Sequence, residues 1–188
     1  LGLAETGIDL TPAGAIIVDD RMRTSKAGVY AAGDVTGKDQ FVYMAAYGAK
    51  LAAKNALNGN SLSYDNTAMP AVVFTDPQVA SVGLTEAKAK AAGFELKIGR
   101  FPFLANGKAI ALGEDQGLIK TIFDAKTGRL LGAHMVGAEV TELIQGFVVA
   151  MGLETTEEEL MHTVFPHPTL SEMMHESVLD AYGRVIHM

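Results

Sequence analysis

The sequence contains no cysteine in its 188 residues. This absence excludes a disulfide framework, a thiolate nucleophile and a cysteine metal site within this chain. A redox-active thiol, if the function needs one, must therefore lie outside this stretch. The chain also begins at Leu1, without a methionine and in a polar, glycine-rich stretch. We therefore expect it to be a piece of a longer protein.

Long apolar runs and basic clusters are also missing. No run of 18 apolar residues occurs, and the first residues lack the basic, then apolar, pattern of a secretory signal. The net charge is -7, with no window of clustered Lys and Arg such as phosphate neutralisation requires. We therefore expect a soluble cytoplasmic protein that binds neither membrane nor nucleic acid.

What is present is the composition of an ordinary folded protein, with 48% hydrophobic and 20% charged residues. In the first part, residues 15–18 and 29–32 have the pattern of short strands. Residues 39–57 predict a helix that ends at Asn58-Gly59. The polar stretch 61–69 before Pro70 predicts a domain boundary near Asn66, which gives domains 1–66 and 67–188.

The second part has the rhythm of an antiparallel sheet. Five apolar runs of strand length occur at 71–75, 79–84, 96–103, 118–123 and 130–136, and residues 124–128 connect the last two as a hairpin. Helices are predicted at 85–92, at 139–151, from Thr155 or Thr156, and at 169–182. We therefore predict an α+β fold, an antiparallel sheet with helices on one side, preceded by a partial α/β segment.

The first candidate site is the stretch from Pro166 to Glu172. Two prolines restrict the backbone on both sides of His167, and Glu172 follows five residues later in the first turn of the predicted helix. A carboxylate against one imidazole nitrogen would favour the protonated ring and leave the other nitrogen free to exchange a proton with a thiol. The alternative is structural, because Thr169 and Glu172 have the spacing of a capping box.

The second candidate site is the end of the run 29–34. Small residues followed by Gly33-Asp34 let a cofactor approach the backbone, and the Asp34 carboxylate can accept hydrogen bonds from hydroxyls. The helix N-terminus that follows, within 39–45, would point N–H groups and the positive end of its dipole toward an electron-rich ligand. A plain strand-turn-helix is the alternative.

The sequence His167-Pro168-Thr169-Leu170-Ser171-Glu172, with a helix and Gly183-Arg184 behind it, resembles the C-terminal signature of dihydrolipoamide dehydrogenases and related disulfide reductases. The resemblance implies that His167 is the acid/base and Glu172 its orienting partner. It further implies a homodimer in which this pair acts on the redox disulfide of the other subunit, with a dithiol/disulfide substrate such as lipoamide. Phe165 departs from the histidine that many members carry at that position.

Thr24 with residues 29–34 resembles the second FAD motif of two-dinucleotide-domain flavoproteins, and Met44-Ala45-Ala46 matches the segment whose backbone faces the flavin. The resemblance thus implies that Gly33, Asp34, Met44, Ala45 and Ala46 contact FAD in the parent enzyme, with FAD weakly bound or absent on this fragment alone. NAD or NADP would bind a part of the protein outside this chain. Residues 70–83 resemble the opening strands of the family's dimerisation domain. Residues 1–66 would end the FAD-binding domain, and 67–188 would form the dimerisation domain.

Two alternatives remain. A mercuric reductase-like flavoprotein is one, because residues 40–46 and 68–74 resemble that subfamily as well, although those enzymes carry a C-terminal cysteine pair that is missing here and typically lack the His–Glu pair. The other is a homodimeric interaction module without catalysis. The remaining histidines, His134, His162, His175 and His187, lack ligand spacing, so no metal site is predicted.

Overall fold

The computed structural model describes residues 2–188, apart from the side chain of Ala4. The chain divides into two compact units, Leu1–Asn66 and Thr67–Met188. Among the described residues, no helix has both the length and the apolar composition that a bilayer crossing requires.

The first unit contains two 3-10 helical turns, Leu3–Glu5 and Asp34–Thr36, and one long helix, α1, Val42–Asn58. The prediction of strands at 15–18 and 29–32 is wrong, because each run forms only an isolated bridge, Leu10 with Ile16 and Arg23 with Tyr30. Consecutive backbone groups there bond to different loops: the Ile16 N–H donates to Val35 and the Ile17 N–H to Asp9. Hence no continuous ladder forms.

Helix α1 begins three residues later than predicted, since Asp39 has a φ of 39° and Phe41 is extended. It ends as predicted, with Gly59 in the left-handed conformation at a φ of 84°. Its buried stripe includes Asn55, whose amide donates to the carbonyls of Arg21 and Leu62 and accepts from the Leu62 N–H. The satisfied amide fixes the helix against the surrounding loops.

The second unit is built on a five-stranded antiparallel sheet, which confirms the predicted α+β class. The strands are β1 (Pro70–Val73), β2 (Gln78–Gly83), β3 (Leu96–Pro102), β4 (Leu118–Asp124) and β5 (Leu130–Gly137), in the order β1-β2-β5-β4-β3. The helices are α2 (Glu86–Ala91), α3 (Gly107–Leu112), α4 (Val140–Gly152), α5 (Glu157–His162) and α6 (Glu172–Ala181).

The main core lies between the sheet and helices α4 and α6. Its largest fully buried side chains are aromatic and branched: Phe101, Phe103, Phe123, Phe147, Ile119 and Ile144. The short α2 packs on the opposite face, where Ala89 meets Ile122 and Leu131. Successive side chains of β4 point to opposite faces of the sheet, which explains why there is a core on each face. Ile119 and Phe123 enter the main core, while Ile122 points to the other face.

The starts of α2 and α5 show the capping chemistry that the sequence predicts. The Thr85 hydroxyl accepts from the Lys88 N–H at the start of α2, and Thr156 forms a capping box with Glu159 at the start of α5. Helix α3 was not predicted, although its N-cap Asn106 and the Gly113 that ends it are the same kinds of signal as those that predict α2. Helix α6 begins at Glu172 rather than Thr169, since the Thr169 N–H donates to the Glu172 carboxylate and Leu170 and Ser171 form a turn.

Helix α6 approaches the sheet at Gly99 of β3. A Cβ atom added to Gly99 would lie 1.7 Å from the carbonyl oxygen of Ser177. The same carbonyl accepts from the Thr121 hydroxyl of β4 at 2.9 Å, and the Arg100 N–H donates to the Asp180 carboxylate at 2.8 Å. These contacts fix both the distance and the register of α6 on the sheet.

We predict that Gly99→Ala destabilises the chain by about 3 kcal/mol, because the added methyl group collides with backbone rather than with a flexible side chain. Urea unfolding followed by circular dichroism measures the difference. Gly107→Ala is the matched control, since a Cβ there meets nothing within 4 Å. Equal unfolding midpoints for the two variants would contradict the close approach.

Candidate functional site

The structure brings the predicted His167 and Glu172 together. His167 follows α5 in a turn with a cis bond to Pro168, and Glu172 is the first residue of α6. The imidazole Nδ1 lies 2.9 Å from Glu172 Oε1. The imidazole is 79% exposed, and within the described chain its Nε2 has no hydrogen-bond partner. The Nδ1 atom is thus held by Glu172, and the Nε2 atom faces outward.

Glu172 is held as a carboxylate. Burial acts to raise its pKa, but the Thr169 N–H, at 2.8 Å from Oε2, and the contact with His167 outweigh burial, so the pKa lies below its ordinary value. An ionised Glu172 accepts a hydrogen bond from Nδ1–H and stabilises the imidazolium. The Nε2 atom is then the nitrogen that stays free for a further hydrogen-bond or proton-transfer partner.

The turn that carries His167 is fixed by hydrogen bonds on two sides. The Thr169 hydroxyl donates to the Pro166 carbonyl at 2.7 Å, and the Asn106 amide donates to the Thr169 carbonyl at 3.1 Å. Asn106 is buried, and its side-chain oxygen also caps α3 by accepting from the Ala109 N–H. Sequence reasoning missed Asn106; its position before Gly107 signals a cap, but nothing local signals the contact with Thr169.

The segment before the turn is packed on α6. The His175 Nε2 lies 2.9 Å from the Met161 carbonyl, and its ring stacks on Phe165 with centroids 5.2 Å apart. His175 therefore has a structural place beside the site. Across residues 2–188, no three His, Asp or Glu side chains gather in a way that could hold a metal ion.

The second predicted site lies in the first unit. Gly33 has a φ of 81° and a ψ of -161°, a conformation that favours glycine, and an added Cβ would lie 2.9 Å from the Cβ of Ala45. Gly33 and Ala45 are therefore in close contact, and a larger side chain at either position would push the turn and helix α1 apart. The Asp34 carboxylate is exposed and makes no hydrogen bond within the described residues.

Helix α1 contributes the other predicted residues. Met44 is buried and lines a cleft with Met22, Gly33, Thr36, Lys38 and Tyr64, whereas Ala46 is exposed. The N–H groups of Met44 and Ala45 already donate to the Phe41 carbonyl. The prediction of free N–H groups within 39–45 is therefore wrong for Met44 and Ala45. The helix starts at Val42, and both N–H groups form hydrogen bonds in its first turn.

Comparison with known families defines the class of protein. Residues 69–178 match the family model described as the dimerisation domain of pyridine nucleotide-disulphide oxidoreductases. Residues 1–53 match the model described as pyridine nucleotide-disulphide oxidoreductase. The chain therefore belongs to the pyridine nucleotide-disulphide oxidoreductase family.

Individual relatives point to one branch of this family. The chain is 60% identical to dihydrolipoyl dehydrogenase of Rhizobium etli over 99% of its own length, and 54% identical to that of Zymomonas mobilis over 100%. It spans 39% and 40% of the length of those two proteins. Among solved structures, it matches LpdA from Mycobacterium tuberculosis with a TM-score of 0.87 at 30% identity, covering 95% of this chain and 39% of that one.

A second solved structure is the HOCl-induced flavoprotein disulfide reductase RclA from Escherichia coli. It matches with a TM-score of 0.81 at 29% identity, covering 92% of this chain and 40% of that one. Both structural matches agree with the α+β architecture described above.

We predict that Glu172→Gln lowers the free energy of unfolding at pH 7 by about 1 kcal/mol, because the charge-assisted bonds to Thr169 and His167 are lost. A carboxyl whose folded pKa is lowered stabilises the fold above its unfolded pKa, near 4.5, and that contribution disappears as pH falls through the folded pKa. Urea unfolding over a pH series from 7 downward should show a difference that is constant above pH 4.5 and shrinks as the pH falls further. A difference that stays the same throughout the acid range would contradict this origin.

Proposed function

We propose that the chain supplies the dimer interface and the His167–Glu172 acid/base pair of a flavin-dependent dithiol/disulfide oxidoreductase of the dihydrolipoamide dehydrogenase type. One observation carries the proposal: an exposed imidazole is oriented by an ionised carboxylate at 2.9 Å, with its second nitrogen turned outward. The relatives named dihydrolipoyl dehydrogenase support this function over a mercuric reductase.

The chemistry assigned to the pair is proton transfer to and from a thiol. Nε2 takes the proton of a substrate thiol, and the resulting thiolate attacks a disulfide to form a mixed disulfide and release a second thiolate. Glu172 stabilises the imidazolium that forms, and reversal returns the proton. The chain contains no cysteine, so the disulfide belongs to another part of the protein.

We assign FAD binding to Gly33, Asp34, Met44, Ala45 and Ala46, with NAD or NADP bound outside this chain. FAD would supply the electron transfer between the nicotinamide and the disulfide. The residues present fit such a group: the exposed Asp34 carboxylate can accept hydrogen bonds from hydroxyls, and the small residues Gly33 and Ala45 let the Gly33 turn and helix α1 lie close together beside it. Because the N–H groups of Met44 and Ala45 already donate to the Phe41 carbonyl, we assign these two residues to packing rather than to hydrogen-bond donation.

In this proposal residues 1–66 end the FAD-binding domain, and residues 67–188 form the dimerisation domain of a cytoplasmic homodimer. Exposed apolar side chains support an interface on the second unit: Val149 and Leu153, four residues apart at the end of α4, are 52% and 74% exposed, and Val164, close to His167 in sequence, is 92% exposed. The same surface also favours the alternative of a homodimeric interaction module without catalysis. Lipoamide is the proposed disulfide substrate.

We predict that His167→Gln in the full-length reductase lowers the turnover of dihydrolipoamide with NAD by at least about 100-fold, because the thiol loses its proton acceptor. FAD absorbance should stay unchanged, since His167 lies outside the proposed flavin site. The matched control is His162→Gln, because His162 is exposed and its Nδ1 lies 2.8 Å from the Glu158 carbonyl, away from Glu172. Normal turnover of the His167 variant would leave the interaction module as the better proposal.

We predict that this chain forms a dimer and that Val149→Glu with Leu153→Glu converts it to a monomer, because two charges would be buried at the interface without partners. Light scattering across a dilution series measures the mass. Leu57→Glu is the control, since Leu57 is also exposed, at 84%, but lies on α1 in the first unit. A monomer for the unmodified chain, or a dimer for the double variant, would contradict this interface.

A further inference from the structure

The buried side chain of Asn106 joins two elements that are far apart in the sequence. Its Oδ1 atom accepts from the Ala109 N–H at 2.9 Å and so caps α3, while its Nδ2 atom donates to the Thr169 carbonyl at 3.1 Å. The residue is only 6% exposed, and a buried amide is costly unless its polar atoms have partners, as both atoms do here. The start of α3 is therefore tied to the turn that carries His167.

The cap alone does not explain why this residue is an asparagine. Serine and aspartate cap helices about as well, because a cap needs only an acceptor for a backbone N–H. Among these side chains, only the amide of asparagine carries an acceptor and an N–H donor on two separate atoms of one short, planar group. The contact with Thr169 uses that donor. The choice of asparagine at position 106 is therefore explained by the turn rather than by α3.

Asn106 stands on a rigid part of the second unit. Its N–H donates to the Phe103 carbonyl at 2.9 Å, and the Phe103 side chain is fully buried. The Phe103 ring lies against two glycines, since a Cβ added to Gly117 or Gly137 would lie 2.6 Å or 2.5 Å from the ring. A ring packed this closely against backbone has little freedom to shift. Asn106 is thus a fixed point from which the turn can be held.

Thr169 connects this fixed point to the His167–Glu172 pair. Its carbonyl accepts from the Asn106 amide at 3.1 Å, and its N–H donates to Glu172 Oε2 at 2.8 Å. The other oxygen of that carboxylate, Oε1, lies 2.9 Å from His167 Nδ1. An unbroken series of three hydrogen bonds therefore runs from the Asn106 amide to the imidazole.

The rest of the turn lies in solvent. Pro166, His167 and Pro168 are all exposed, and burial begins with the half-buried Thr169 and the buried Leu170. Thr169 is thus the point at which the exposed part of the turn joins the packed part of the unit. The hydrogen bond from Asn106 acts at that point.

We propose that Asn106 is a positioning residue for the acid/base pair, because it holds Thr169 in the conformation that places the Glu172 carboxylate on the imidazole. This inference rests on the proposed function of the His167–Glu172 pair. Asn106 acts on the imidazole through Thr169 and Glu172 and takes no part in proton transfer itself. Loss of its amide donor leaves the pair present but poorly oriented.

The test replaces Asn106 in the full-length reductase and measures the turnover of dihydrolipoamide with NAD. Asn106→Ser keeps an acceptor for the Ala109 N–H but lacks the amide donor, and Asn106→Asp keeps both the acceptor and the shape of the side chain. We expect each variant to lower turnover by about 10-fold, because a small misplacement of a reacting group slows the chemical step. FAD absorbance and circular dichroism should stay unchanged.

Thr85→Ala is the matched control for the loss of a helix cap. Thr85 caps α2, which like α3 has six residues, but α2 packs on the other face of the sheet. This variant should unfold at a lower urea concentration and keep normal turnover. An equal loss of turnover in Thr85→Ala would show that any weakened helix cap has this effect, and it would overturn the inference.

Combination with His167→Gln distinguishes positioning from a general structural role. If Asn106 acts through the imidazole, Asn106→Ser should lower turnover no further in the His167→Gln background. A loss of the same size with and without His167→Gln would show that Asn106 acts by another route, and the inference would be wrong.

The same series separates failure of this inference from failure of the proposed function. Normal turnover of His167→Gln alone would refute the acid/base pair, and the inference with it. Slow turnover of His167→Gln beside normal turnover of Asn106→Ser and Asn106→Asp would refute only the role of Asn106.

Discussion

The contact between α6 and the sheet at Gly99 is the constraint on which the rest of the second unit depends. The Ser177 carbonyl approaches Gly99 so closely that no side chain fits between them, and it accepts from the Thr121 hydroxyl. A buried carbonyl left without this donor would be costly. The pairing therefore fixes where α6 lies and how it is rotated.

The candidate site inherits its geometry from that helix. Glu172 begins α6, so its carboxylate is placed by the packing of Ser177 and Asp180 further along. His167 reaches the carboxylate because the Thr169 turn is tied to Glu172 on one side and to Asn106 on the other. Rigid packing thus ends in one exposed imidazole, which the proposed function requires to be accessible to another molecule.

Local chemistry explains which elements could be predicted. Thr85, Thr156 and Gly59 mark helix ends through contacts within four residues, and the five strands of the sheet show runs of sufficient length. The predictions failed where local signals were misleading or too short. The runs 15–18 and 29–32 resemble strands but form only isolated bridges, and the six residues of α3 have no helical period beside their cap and stop residues.

The sequence by itself determined the α+β class and the absence of any thiol. It also determined the pairing of His167 with Glu172, because the two residues are five positions apart, with prolines on both sides of His167 and a helix start at Glu172. Only the tertiary structure decided the close approach of α6 to Gly99 and the contact of Asn106 with Thr169. The second of these contacts joins residues 63 positions apart. Such contacts depend on packing between elements, which the period and capping signals of a single element do not contain.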